Sequence, residues 1–210
     1  MDTMKFDKEK SKIAMTIPRF SLRKPHVEWF EGKYYEPYIA SMAVDANGPK
    51  KPAIGFNLMP FPKVSAGGSV TMLGDGHLVY GPANPGDFVA VSILIMEADR
   101  DIRAVGKSIE NFIKSKAVDL GMKVLIASNP GAGATLGILK ELTQFVAGML
   151  KNNKDDELFR VEGTFLRDGP VPYHINREYQ CGNDYVALDL KIIPLQKGNC
   201  QGSSVKEIKL

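Results

Sequence analysis

The chain has 210 residues and a mass of 23.1 kDa, room for one large domain or two small ones and for a core that needs no disulfide or metal. A hydrophobic share of 44%, a charged share of 24% and a mean hydropathy of −0.14 exclude a wholly disordered chain. Its 27 basic and 24 acidic residues leave a net charge of +3 with the basic positions scattered, which is no nucleic-acid footprint.

The 20 Gly and 13 Pro, many of them in the first hundred and last fifty residues, read as turns between short strands. Two cysteines, Cys181 and Cys200, have no metal-like spacing; one bridge and two free thiols are both open. The N-terminal MDTMKFDKEKSK has no apolar h-region, so no standard signal peptide is expected. No apolar run approaches the ~20 residues of a spanning helix. A cytoplasmic protein is the default expectation, with signal-independent export left open.

In chain order, Ile13, Met15 and Ile17 alternate on one face of KIAMTIPRFSL, a period-two strand in which Pro18 marks an edge or a bulge. An aromatic, charged loop, KPHVEWFEGKYYEPY, leads to a second strand, IASMAV, which ends at Asp45-Ala46-Asn47-Gly48-Pro49. PAIGFNLMP is a third apolar segment. KVSAGGSVTML, the turn Gly74-Asp75-Gly76 and HLVY predict a hairpin. The run DFVAVSILIM is continuous rather than alternating, which predicts a strand central in its sheet.

The period then changes. Ile102, Val105, Ile109, Phe112 and Ile113 fall at helical spacing from Asp101. A second helix is expected to bury Leu136, Leu139, Leu142, Phe145, Val146, Met149 and Leu150. Strand signals return in ELFRVEGTFL and DYVALDLKII. The pattern predicts one mainly β domain over residues 12–195, an antiparallel β-sandwich carrying a two-helix excursion from one loop at about 100–153, with tails at 1–11 and 196–210.

Chemical motifs are sparse. In Gly131-Ala132-Gly133-Ala134-Thr135-Leu136-Gly137 the third Gly comes one position late for a dinucleotide fingerprint, and no Walker lysine follows; a turn and a closely packed helix explain it better. His26, His77 and His174 lack metal-ligand spacing, and there is no G-x-S-x-G elbow. No enzyme stands out. Acidic residues are more informative. Glu97-Ala98-Asp99-Arg100-Asp101 closes the strongest strand, Asp155-Asp156-Glu157 opens the strand after the helices, and Glu28, Glu31 and Glu36 flank the first long loop. An excursion from one loop would bring the first two clusters to the same end, where carboxylates supply the oxygen ligands calcium prefers. Arg100, Arg103 or Arg160 could neutralise them instead.

Three segments resemble C2 domains: Tyr35-Glu36-Pro37-Tyr38-Ile39, the strand SILIMEADRD, and Asp155-Asp156-Glu157-Leu158-Phe159 followed by Gly-Thr-Phe. Their order agrees with a C2 sandwich. The resemblance implies a calcium site at Glu36, Glu97, Asp99 and Asp156, with Glu31 a weaker candidate. Glu stands where the family has Asp at 36 and 97. It also implies a peripheral membrane-binding or targeting module, with calcium bridging to an anionic membrane surface. Trp29, Phe30, Tyr34 and Tyr35 would dip into the interface. Two further readings stay open: a toxin-like, membrane-perturbing protein using the apolar helical insertion, and a non-enzymatic structural or interaction module whose strand edges and helical face bind a protein partner or a second copy.

Overall fold

The computed structural model describes residues 6–23, 34–47, 54–61, 63–98, 131–152 and 155–195, together with 106, 107, 109, 111 and 115. Among these residues there are eleven strands and one long helix. The strands are β1 (Lys12–Leu22), β2 (Tyr34–Tyr35), β3 (Pro37–Asp45), β4 (Gly55–Pro60), β5 (Val64–Ser65), β6 (Ser69–Thr71), β7 (His77–Ala83), β8 (Phe88–Glu97), β9 (Asp156–Leu166), β10 (Glu178–Gly182) and β11 (Val186–Leu195); helix α1 spans Ala132–Asn152. All strand pairs are antiparallel. One large sheet runs β10-β11-β1-β6 with β7 also on β1, the other runs β4-β3-β8-β9, and β2 and β5 form a small two-stranded pair.

The two sheets share a core. Ile13, Met15 and Ile17 of β1 and Leu188, Leu190 and Ile192 of β11 meet Val91, Ile93 and Ile95 of β8 in one buried cluster. A second cluster lies on the other side of the four-stranded sheet. There Ala90, Leu94 and Met96 of β8 and Tyr38 and Met42 of β3 pack against Leu139, Val146 and Leu150 of α1. Odd residues of β8 therefore face the opposite sheet and even ones face the helix, as strand alternation requires. Every residue of β3 and β8 is buried, which is why both read as continuous apolar runs. The result is a sandwich-like pair of sheets with a helix laid on one outer face.

Three expectations change. The hairpin predicted at 63–80 does not form: β6 and β7 both pair with β1, along Arg19–Ser21 and Ile13–Ile17. The chain between them hops rather than reverses, because β1 shifts register between Thr16 and Arg19 and Met72 N–H bonds the Pro18 carbonyl at 2.9 Å. Gly76 makes the hop with φ +103, and a Cβ there would lie 2.4 Å from the Ile17 carbonyl oxygen. Pro18 thus marks a bulge in a central strand. The second change is confined to one position of α1's expected face: Leu139, Val146 and Leu150 are buried and Leu136, Leu142 and Met149 pack partly against the same cluster, whereas Phe145 is half exposed and Thr135, Thr143 and Ala147 join the buried side. Thirdly, no close packing explains the helical glycines: a Cβ on Gly133 or Gly137 would meet nothing within 4 Å. Of the first predicted helix, residues 106, 107, 109 and 111 are helical and Ile109 is buried against α1's cluster; its other positions lie outside the described residues. Phe6, in the expected N-terminal tail, is buried edge-on against Tyr173.

If β8 is buried equally on both faces, the helix side matters as much as the sandwich side. Leu94→Ala and Ile93→Ala are each expected to cost about 2–5 kcal/mol, read from urea unfolding. A Leu94→Ala cost under about 1 kcal/mol would contradict a packed helix–sheet layer.

Candidate functional site

Register brings the predicted acidic positions to one end of the four-stranded sheet. Pro37 pairs with Glu97 and Glu97 with Asp156, so the segment from 98 to 155 leaves and rejoins the sheet at neighbouring strand ends. Facing pairs share a side, which puts Glu97 and Asp156 on the sandwich side. There Glu97 is 4% exposed. Burial, and then the Glu97 charge, push the Tyr35 hydroxyl above its ordinary pKa. Glu36 is exposed, and its carbonyl accepts the Ala98 N–H at 3.1 Å. Asp155 lies on the helix side, 1% exposed, accepting the Tyr38 hydroxyl at 2.7 Å. Glu157 is held by Nε and Nη2 of Arg160, each at 2.9 Å, and by Lys151 at 3.0 Å. Burial raises its pKa, but these cations outweigh burial and hold it below the usual value.

Glu97 and Asp156 therefore share the sandwich side, while Asp155 and Glu157 face the helix side with partners of their own. Among the described residues no three His, Cys, Asp or Glu side chains group closely enough to hold a metal ion, so the described part of the expected calcium set does not by itself fit one. Asp99 and Glu31 lie outside the described residues, as do Trp29 and Phe30. Of the remaining aromatic pair, Tyr34 is 58% exposed and Tyr35, at 4%, belongs to the core. No described helix is long and apolar enough to cross a membrane.

A concavity lies elsewhere among the described residues. Among the described residues β4 borders one sheet, with β3 its only strand partner, and β7 borders the other, with β1 its only strand partner. Between them is a cleft of about 340 Å³ lined by Asp45, Phe56, Asn57, Leu78, Tyr80 and Pro82 among others. Its floor is a brace between the sheets. Asp45, at the end of β3, accepts the Tyr80 hydroxyl at 2.6 Å and the Asn47 N–H at 2.9 Å. Burial and the Asp45 charge push the Tyr80 phenol well above its usual range, so it stays a hydrogen-bond donor near neutrality. The Asn57 amide reaches the Leu78 carbonyl across the gap at 3.5 Å.

Strand phase shows what the β4 edge offers. Phe61 N–H bonds the Pro37 carbonyl, so residues 57 and 59 also turn their backbone groups to β3. The N–H and C=O of Phe56 and Leu58 then point the other way. Pro60 has no N–H and ends this run. Leu78, which lines the cleft, is among the six large apolar side chains left exposed among the described residues, at 39%.

Sequence reasoning missed this cleft because Asp45 looked like a turn residue and Tyr80 like the end of a hairpin; no motif links positions so far apart. It also missed a charge cluster at the far end of the sheets, where Arg167 meets Glu9 at 3.1 Å, Asp87 at 2.9 Å and Asp168 at 3.4 Å. Burial, then Asp189, raise the pKa of the free thiol Cys181, which keeps it a weak nucleophile. His77 is buried, with Nε2 lacking a hydrogen-bond partner. Cys200 and His26 lie outside the described residues. Comparisons with family models, with curated proteins and with solved structures return no match to this chain.

Burial lowers the His77 pKa below 6.5. The unfolded chain takes up this proton as pH falls through about 6.5 while the folded imidazole stays neutral, so stability is full above that pH and declines below it. His77→Leu is expected to remove this part of the decline between about pH 6.5 and 5, measured as urea midpoints. Equal slopes in the two proteins would show that His77 is not the group responsible. Glu157 acts in a separate window, below its ordinary value of 4.5.

Proposed function

We propose that the chain is a non-enzymatic interaction module of C2-like build that takes an extended segment of a partner protein along the β4 and β7 edges. The observation carrying this reading is the cleft itself, two sheet borders facing each other across about 340 Å³. Edge strands present backbone donors and acceptors that an added strand can satisfy. Here the competent stretch is short, bounded by Pro60 on β4 and by the Gly81-Pro82 step in β7. Phe56 and Leu78 offer apolar contacts along it. The Asp45–Tyr80 brace fixes the spacing of the borders, so a bound segment meets a preformed slot rather than one it must organise. The C2-like build is supported by the order of the three resembling segments and by the sandwich-like pairing of the sheets.

Peptides selected from a randomised display library on the folded chain should shift the amide signals of Phe56, Leu58 and Leu78. Leu78→Lys should weaken the selected peptides by roughly tenfold or more. Failure to enrich any peptide, or shifts confined to another surface, would overturn this reading.

A second reading, docking on a membrane surface, is favoured by the exposed Tyr34 beside the end where Glu36, Glu97 and Asp156 come together. The described acids make no nest for calcium, so docking is expected to be calcium-independent. In liposome pelleting with anionic vesicles, binding should be equal with calcium and with EGTA. Absence of binding in both would remove this reading, and binding only with calcium would refute its calcium independence.

A further inference from the structure

We infer that α1 is a hinged arm, latched to the sheet at its C-terminal end and released first at its N-terminal end. The topology permits this motion without breaking the sheet. β8 and β9 are paired up to Glu97–Asp156, and α1 lies wholly within the excursion between those residues.

The seat of the helix differs along its length. Residues 143–152 bury Val146, Ala147 and Leu150, whereas among 132–142 the only fully covered apolar side chain is Leu139. The chain leaving the C-terminal end is tied down by Asp155, which is buried, accepts the Tyr38 hydroxyl and donates its N–H to the Leu150 carbonyl at 3.3 Å. Lys151 adds an ion pair to Glu157 at 3.0 Å.

The N-terminal half rests on a different surface. Lys140 reaches Glu162 at only 3.8 Å, and antiparallel progression along β9 puts Thr164 under the turns before it. Ser92 lies opposite Glu162 in the register and Thr164 opposite Ala90. All are on the face that α1 covers, because they share the alternation of Ala90 and Leu94. Four oxygens in this region, Thr135 Oγ1, Ser92 Oγ, Glu162 Oε1 and Thr164 Oγ1, are buried without a hydrogen-bond partner. Closing the arm over them forfeits their hydration, and lifting it restores that hydration. Gly133 and Gly137 add backbone freedom in the same half with no packing role. Partial opening thus wets a polar strip while Tyr38, Leu94 and Met96 remain covered.

Native-state amide exchange of the full chain, followed with increasing urea, tests this. The amides of Leu139 to Leu142 should exchange roughly tenfold or more faster than those of Val146 to Leu150, through an opening that exposes surface and so depends on urea. Thr135→Val with Ser92→Ala should slow exchange in the first half alone. Tyr38→Phe should bring the second half towards the rate of the first, with β8 amides as the internal reference for global unfolding. Equal protection in the two halves overturns the inference, as does an N-terminal half as slow as β8. So does a Tyr38→Phe effect shared equally by β8.

Discussion

β3 and β8 have no face turned to water, and most of the architecture follows from that. A strand buried on one side can alternate apolar and polar residues; one buried on both sides must be apolar throughout and needs a second layer. The opposite sheet supplies one layer and α1 the other. The cover grows from the connection between β8 and β9, two strands of the sheet it covers, so the chain needs no long crossing to put it in place. β3 also carries a hydrogen bond from a tyrosine hydroxyl to an aspartate at each end. Tyr38 at its start holds Asp155 on the helix side, and Asp45 at its end accepts Tyr80 from the other sheet. Burial, reinforced by the neighbouring carboxylate, keeps both phenols protonated. Each tie therefore survives through neutral pH as a donor–acceptor pair inside a mainly apolar layer.

Elements whose burial leaves a local signature were legible in the sequence. β1 alternates because Ile13, Met15 and Ile17 face the shared core while the buried residues between them, Ala14 and Thr16, are small, and β8 is a continuous run because both faces are covered. The polar edge strand Glu178–Gly182 gave no such signal, since its exposed alternation resembles a loop. The false hairpin has a long-range cause. Gly74-Asp75-Gly76 carries the same turn chemistry whether the chain reverses or hops, and the choice is made by the bulge at Pro18, more than fifty positions earlier. The face of α1 was misjudged because only apolar residues were followed. Thr135 and Thr143 stand four positions either side of Leu139 and so lie on its stripe, which moves Phe145 off it.

The acidic end and the cleft illustrate the same limit on functional sites. Sequence order alone predicted that the clusters at 97–101 and 155–157 meet, and Glu97 does pair with Asp156. Meeting in register is not convergence on an ion. Alternation sends Asp155 to the opposite face from Asp156, and Glu157 takes Arg160 and Lys151 as partners. The cleft had no sequence signal because its chemistry is that of strand borders, and which strand ends up on a border is a property of topology. Asp45 and Tyr80 are ordinary residues until β3 and β7 are placed in different sheets.

The doubly covered strands are the stiffest part of such a molecule, and binding or movement belongs where cover is incomplete. Two places meet that description. At the β4/β7 border backbone groups face a slot instead of a strand; under the first half of α1, buried oxygens lack hydrogen-bond partners. They lie on different sides of the four-stranded sheet's framework and are stabilised by separate ties, Asp45–Tyr80 and Tyr38–Asp155. The common element is β3, whose ends hold one tie each. A change that shifts β3 along its axis would strain both hydrogen bonds together, whereas loss of either hydroxyl alone leaves the other tie in place. The two borders are thus mechanically distinct but share one rigid reference, an arrangement in which an edge-bound segment and a lifted arm can occur independently on the same sheet.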